Sequence, residues 1–207
     1  MKSSFLSSKN QHGGHYIFIV SILALIVAGW LGTSNFVRSA TDTVAVTASV
    51  ATSISCSTDA TTMAFGALTS GSVSTATPNA STTVSCNVGL GCSLYVRDAN
   101  AGLATSSPTY TINSSTATLA AGTEGYGVNA TTTATGSGGT LGLSATYGPA
   151  KWNSNQVGAL ATSNVALASS TAAVTGREVV VQHRAAISGV TPPASYIDTI
   201  TYECLGN

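Results

Sequence analysis

Few side chains in this sequence carry charge. Charged residues make up 7% of the 207 positions and aromatic ones 6%, which separates the chain from charge-rich disordered proteins and from an ordinary cytosolic globule. Seven basic and seven acidic side chains cancel, and three of the basic ones, Lys2, Lys9 and Arg38, fall within the first 40 residues. The rest of the chain has only Arg97, Lys151, Arg177 and Arg184, so no basic patch exists to neutralise phosphates, and nucleic acid is not an expected partner. Histidine is just as scarce, with His183 the only one beyond residue 40. A Ser-His-Asp triad would have no Gly-x-Ser-x-Gly elbow to build on, and a zinc site no Cys-x-x-Cys pair. We therefore expect no catalytic residues, no cofactor and no metal. Helical periodicity is weak and no internal repeat stands out, which disfavours helical bundles, solenoids and propellers.

One long apolar run is present, Tyr16–Leu31, uncharged, preceded by Lys2 and Lys9 and followed by the small residues Gly32, Thr33 and Ser34. That order is the signature of an export signal or an uncleaved N-terminal anchor. Cleavage after Ser39 would set Val37 and Ser39 at the positions where small residues are favoured. Residues 1–40 are thus read as a signal peptide or membrane anchor, with the membrane a partner only through residues 16–33 if these are retained. The chain is expected to be exported, extracellular or at the cell surface. All four cysteines, Cys56, Cys86, Cys92 and Cys204, lie in the exported part, and an even number there predicts two disulfides. Three pairings are open.

What is abundant is Thr, Ser, Ala and Val in alternation. From Val44 to Cys56 the even positions are Val44, Val46, Ala48, Val50, Thr52, Ile54 and Cys56, whereas the odd ones are only Ala, Thr and Ser. Period two is the mark of a strand with one buried face. At about 3.3 Å per residue such a strand would extend roughly 40 Å, about twice the usual length. Further strands are expected at about 62–68, 79–87, 92–98, 109–112, 124–131, 139–147, 163–168, 176–188 and 195–204, between clusters of Gly, Asn, Ser and Pro. Gly-Ser-Gly-Gly at 136–139 reads as a flexible turn, and Thr191-Pro-Pro-Ala-Ser195 as a stiff loop feeding the last strand. Residues 41–207 form a single domain on this reading, an antiparallel all-β sandwich preceded by a hydrophobic export helix.

Several segments together resemble the spore coat protein U domain family, which includes subunits of archaic chaperone-usher pili. They are the alternating strand into Cys56 followed by Met63-Ala-Phe65-Gly66, then Ala80-Ser-Thr-Thr-Val84-Ser-Cys86, Leu94-Tyr-Val96-Arg-Asp98, Gly176-Arg177, and Pro193-Ala-Ser-Tyr196-Ile-Asp198-Thr-Ile200-Thr-Tyr202. The likeness covers most of residues 44–204. It implies an immunoglobulin-like, pilin-like sandwich lacking one strand, with the gap filled by the N-terminal segment of the next subunit. Copies of the same chain or related subunits are the partners implied, along with an assembly chaperone. The resemblance also implies a Cys56–Cys86 bond, leaving Cys92 with Cys204.

Two candidate surfaces follow. Val44, Val46, Ala48 and Val50, within a donor segment at 43–51, have the periodicity of an inter-subunit strand, whereas the plainer alternative is an ordinary first strand paired inside its own domain. Tyr147, Trp152 and Asn153 form the only aromatic and polar loop, which could stack on a sugar in a tethered adhesin or simply plug the fold. His183 alternates with Val181 and Ala185 and is read as a partly buried sheet residue rather than a base.

Overall fold

The computed structural model describes residues 41–207; the signal or anchor segment, with its hydrophobic run at 16–33, lies outside the described residues. Contacts divide the chain between Ser49 and Val50, and Val50–Asn207 packs as one unit. Its strands, in chain order, are β1 (Ile54–Thr58), β2 (Ser74–Thr75), β3 (Ala80–Cys86), β4 (Cys92–Asp98), β5 (Gly102–Ser106), β6 (Thr109–Asn113) and β7 (Ala117–Thr118). There follow β8 (Gly125–Thr132), β9 (Ser137–Gly138), β10 (Gly142–Leu143), β11 (Gln156–Val157), β12 (Val165–Ser169), β13 (Val174–Ala186) and β14 (Ile200–Gly206). The only helical element among the described residues is a 3-10 turn at Pro149–Lys151.

Two antiparallel sheets make the sandwich. In the first, β1 pairs with β3 and β3 with β13, while β8 pairs along the other side of β13 and the short β2 and β9 extend its ends. The second runs β10-β12-β4-β14. At 13 residues β13 is the longest strand, and its alternation shows why: Val179, Val181, His183 and Ala185 all face inward. The same period-two code buries Ala80, Thr82 and Val84 on β3, Tyr126, Val128 and Ala130 on β8, and Leu94 and Val96 on β4. Each fully buried Val or Leu contributes about 1.5–3 kcal/mol, and Tyr126 and Tyr147 fill the core among these smaller side chains.

The long first strand is shorter than its sequence pattern implies. Residues 41–53 carry no strand or bridge, and β1 begins only at Ile54. The alternating segment is therefore not an ordinary first strand over Val44–Val50. The expected strand at 62–68 is replaced by irregular chain with a single bridge between Ala64 and Thr77, and the one at 139–147 shrinks to β10. The hairpin of β5 and β6 extends the strand expected at 109–112 with a partner, Gly102–Ser106, whose Ala, Thr and Ser give little apolar signal.

The two disulfides join Cys56 with Cys204 and Cys86 with Cys92, which corrects the pairing that the family resemblance implied. Cys56 lies opposite Val84 in the β1–β3 register, so it is out of line with Cys86, which ends β3 and meets Cys92 across a short turn into β4. Cys204 on β14 instead faces β1 across the sheets. The first bond closes 148 residues and the second six. In the chain-entropy picture these contribute about 5 and about 2 kcal/mol respectively. A Cys56→Ala/Cys204→Ala chain should lose about twice the unfolding free energy lost by Cys86→Ala/Cys92→Ala, as read by urea denaturation. Equal losses would contradict this assignment.

Candidate functional site

Among the described residues, one side of β14 pairs with no strand. The register with β4 fixes which backbone groups are left over. Asn207 N donates to Gly91 O at 3.1 Å, whereas Cys92 O turns the other way and accepts from Ser170 N at 2.8 Å. Odd-numbered residues of β14 thus bond to β4, and Ile200, Tyr202 and Cys204 direct their N–H and C=O groups to the open edge. A sheet edge with unpaired donors and acceptors is a template for another strand.

Beside that edge opens a groove of about 1230 Å3. One wall is the irregular chain of Ala60–Leu68, where Met63, Phe65 and Leu68 pack half-buried on the core, and the other is Pro192–Tyr202. The Pro192–Pro193 pair keeps the second wall out of the sheet by removing two backbone donors. Exposed Ile197, at 72%, adds apolar surface at the rim.

The floor is polar. Tyr126 and His183 face each other from neighbouring β8 and β13, with the Tyr126 hydroxyl 2.7 Å from His183 Nδ1 and the rings stacked at 5.9 Å between centroids. Phe65 meets the edge of Tyr126 at 6.2 Å. His183 is only 2% exposed, and burial drives its pKa down to about 4, so the ring is neutral at pH 7. Its Nε2 has no partner, and neither has the Tyr202 hydroxyl, whose pKa burial pushes well up. Asp198, on the Pro192–Tyr202 wall, is pushed up to about 6, first by burial and then by the nearby charge of Asp98. The arrangement offers a trough with apolar walls and a few hydrogen-bonding groups at its base. Among the described residues no group of three or more His, Cys, Asp or Glu side chains meets.

The residues singled out in the sequence fall in different places. Val44, Val46 and Val50 are 85%, 89% and 88% exposed, and Ala48 is exposed with them. Just after them the chain is fastened by a residue the sequence reading missed. The Asn87 side chain accepts from Ser53 N at 2.7 Å and donates to Ala51 O at 2.8 Å, and Asn87 N donates to Ser53 O at 3.1 Å. Nothing in the pattern of residues 79–87 marks Asn87 as a clamp, since its partner segment lies more than 30 positions away.

The Tyr147–Asn153 loop is not a shared ligand surface. Tyr147 is fully buried and donates its hydroxyl to Ala159 O at 2.6 Å, so it fills the fold as a plug. Trp152 is half-buried, and Asn153 is exposed in the left-handed backbone region at φ 57°. Asn129 holds the loop from below by donating to Lys151 O and Gln156 O. The pairing of Tyr126 with His183 was legible in part, because alternation with Val181 and Ala185 points His183 inward, while its aromatic partner comes from a strand 57 positions earlier.

No family model, curated protein or solved structure matches the chain. The likeness to the coat protein U family rests on the sequence segments that carry it.

His183 sets a pH dependence whose sign is fixed by its burial. Its folded pKa lies below that of the unfolded chain, about 6.5, so its contribution is present above about pH 6.5 and is lost as pH falls towards 4. In urea unfolding series over this window, His183→Gln should flatten the acid loss of stability by up to about 3 kcal/mol. An unchanged slope would show that His183 is not buried neutral.

Proposed function

We propose that this chain is a non-enzymatic structural subunit, exported and assembled at the cell surface into a filament or coat, in which residues 44–50 of one copy add a strand to β14 of the next. The observation that carries the reading is the unpaired edge of β14 above an apolar groove. On this reading the sandwich is immunoglobulin-like and pilin-like, with β1, β3, β13 and β8 in one sheet, β4 and β14 in the other, and the position beside β14 supplied from outside the domain.

The segment offered to that position fits in three respects. It carries no strand of its own, its apolar alternate side chains are exposed, and the Asn87 clamp begins at Ala51, immediately after it. Main-chain hydrogen bonds to Ile200, Tyr202 and Cys204 would supply attachment, and Val44, Val46 and Val50 would enter the trough between the Phe65 and Tyr196 walls.

Magnitudes show why both parts are needed. Burying three valines contributes about 5–8 kcal/mol in total, and each net backbone hydrogen bond about 1 kcal/mol. The loss of translational and rotational freedom on association costs about 4–15 kcal/mol, so neither term alone holds two copies together. A single charge on the apolar face should therefore abolish assembly.

Deleting residues 41–50 should leave a folded, disulfide-bonded monomer and remove all polymers, as seen by size-exclusion chromatography and negative-stain electron microscopy of the secreted protein. Val46→Asp should do the same. Polymers that persist after the deletion would overturn the reading, as would a deletion that unfolds Val50–Asn207.

A further inference from the structure

Asp98 ends β4, and the β4–β14 register sets it opposite Ile200, two residues after Asp198. Each of the two carboxyl groups spends one oxygen on backbone amides. Asp98 Oδ1 accepts from Ala101 N at 3.1 Å, and Asp198 Oδ1 accepts from Thr199 N at 2.8 Å and from Ala99 N at 3.3 Å, which lays Asp198 over the turn that follows Asp98. The second oxygens, Asp98 Oδ2 and Asp198 Oδ2, are shielded from solvent and have no partner. Asp98 as a whole is 2% exposed.

No counter-charge relieves them. Among the described residues, Arg97 is exposed on β4 at the position that alternates with buried Asp98, Arg177 is taken up by the carbonyls of Gly139, Thr135 and Gly138, Arg184 by Gln182 and Asn155, and Lys151 by Thr146 O. Two carboxylates bound to the amides of one turn, each with a buried oxygen left unpartnered, are costly unless protonated or bridged by a cation. A third oxygen source stands beside them. The Asn100 amide lies 3.4 Å from Asp198 Oδ1, and its two ends can exchange by rotation, which turns the carbonyl oxygen towards the pair. The run Asp98-Ala-Asn100 sets two oxygen-bearing side chains at alternate positions on the same turn.

We propose that Asp98, Asn100 and Asp198 bind a calcium ion, which ties the turn after β4 to the chain entering β14. The donors are all hard oxygens, two of them carboxylates, so calcium suits them better than a metal that prefers nitrogen or sulfur. Water and backbone carbonyls complete the shell. Asp198 lines the groove, which gives the ion a path from solvent. Only two protein charges face the ion, which sets the affinity in the range of extracellular calcium modules, about 0.1–1 mM.

The full chain, stripped with EDTA, is titrated with calcium chloride by calorimetry and followed by thermal unfolding. Binding near 0.1–1 mM is expected, with a rise in Tm of about 3–8 °C at 10 mM calcium. Asp198→Asn should keep the backbone contacts of Oδ1, be no less stable than wild type in EDTA because it removes a repulsion, and lose the calcium gain. Asn100→Ala should weaken binding severalfold and serves as a second, milder variant. Absence of heat and of any Tm change up to 10 mM calcium would overturn the proposal, as would an equal gain in Asp198→Asn. A pH response of Tm between 4 and 7 that disappears in Asp198→Asn, with no response to calcium, would assign the pair a shared proton and overturn it as well.

Discussion

The Cys56–Cys204 bond joins two edge strands that share no backbone ladder, and the shape of the groove depends on it. β1 is the last strand of one sheet and β14 the last of the other. Sheets that twist apart would separate there, exposing the core along the whole seam. The disulfide closes the seam at Cys56 and Cys204, while Thr58 on β1 and Tyr202 on β14 already line the groove. One covalent tie thus leaves the core sealed on one side of it and open on the other. Metal coordination at Asp98 and Asp198 would stiffen the far end of the same strand, where β14 is entered.

The groove combines two demands that conflict in an ordinary core. Its walls, with Phe65, Met63 and Tyr196, favour apolar side chains, but its floor holds Tyr126 and His183 as a satisfied pair with one ring nitrogen left over. A strand with small apolar residues fits such a trough because its backbone, not its side chains, supplies the hydrogen-bonding groups. That is a reason for the low bulk of Val44, Val46, Ala48 and Val50, which would make a poor anchor on a flat surface.

Much of the sandwich was legible in the sequence because β3, β4 and β13 bury mainly one face and so announced themselves by alternation, whereas β8 is buried on both faces. Residues 62–68 read as a strand for the same reason, since Met63, Phe65 and Leu68 are apolar and nearly alternate, yet they cover the core from an irregular path without a partner strand. Alternation reports burial, not pairing. The opposite lesson comes from Val44–Val50, where perfect alternation coincides with full exposure. Disulfide pairing could not be read from spacing, because it depends on which edge strands the two sheets bring together. Asn87 and the Asp98–Asp198 pair were invisible for the same reason: each acts on a segment distant in the chain.

The central claim, that β14 accepts a strand from a neighbouring copy, is tested most directly by amide hydrogen exchange resolved to single residues. The N–H groups of Ile200, Tyr202 and Cys204 point to the open edge, whereas those of Thr201, Glu203 and Leu205 bond to β4. In the monomer the first three should exchange fast and the second three slowly. On adding a synthetic peptide of residues 41–50, or on assembly, the first three should become protected to the level of the second. Protection of all six in the monomer, or unchanged fast exchange at Ile200 and Tyr202 with peptide bound, would contradict the account.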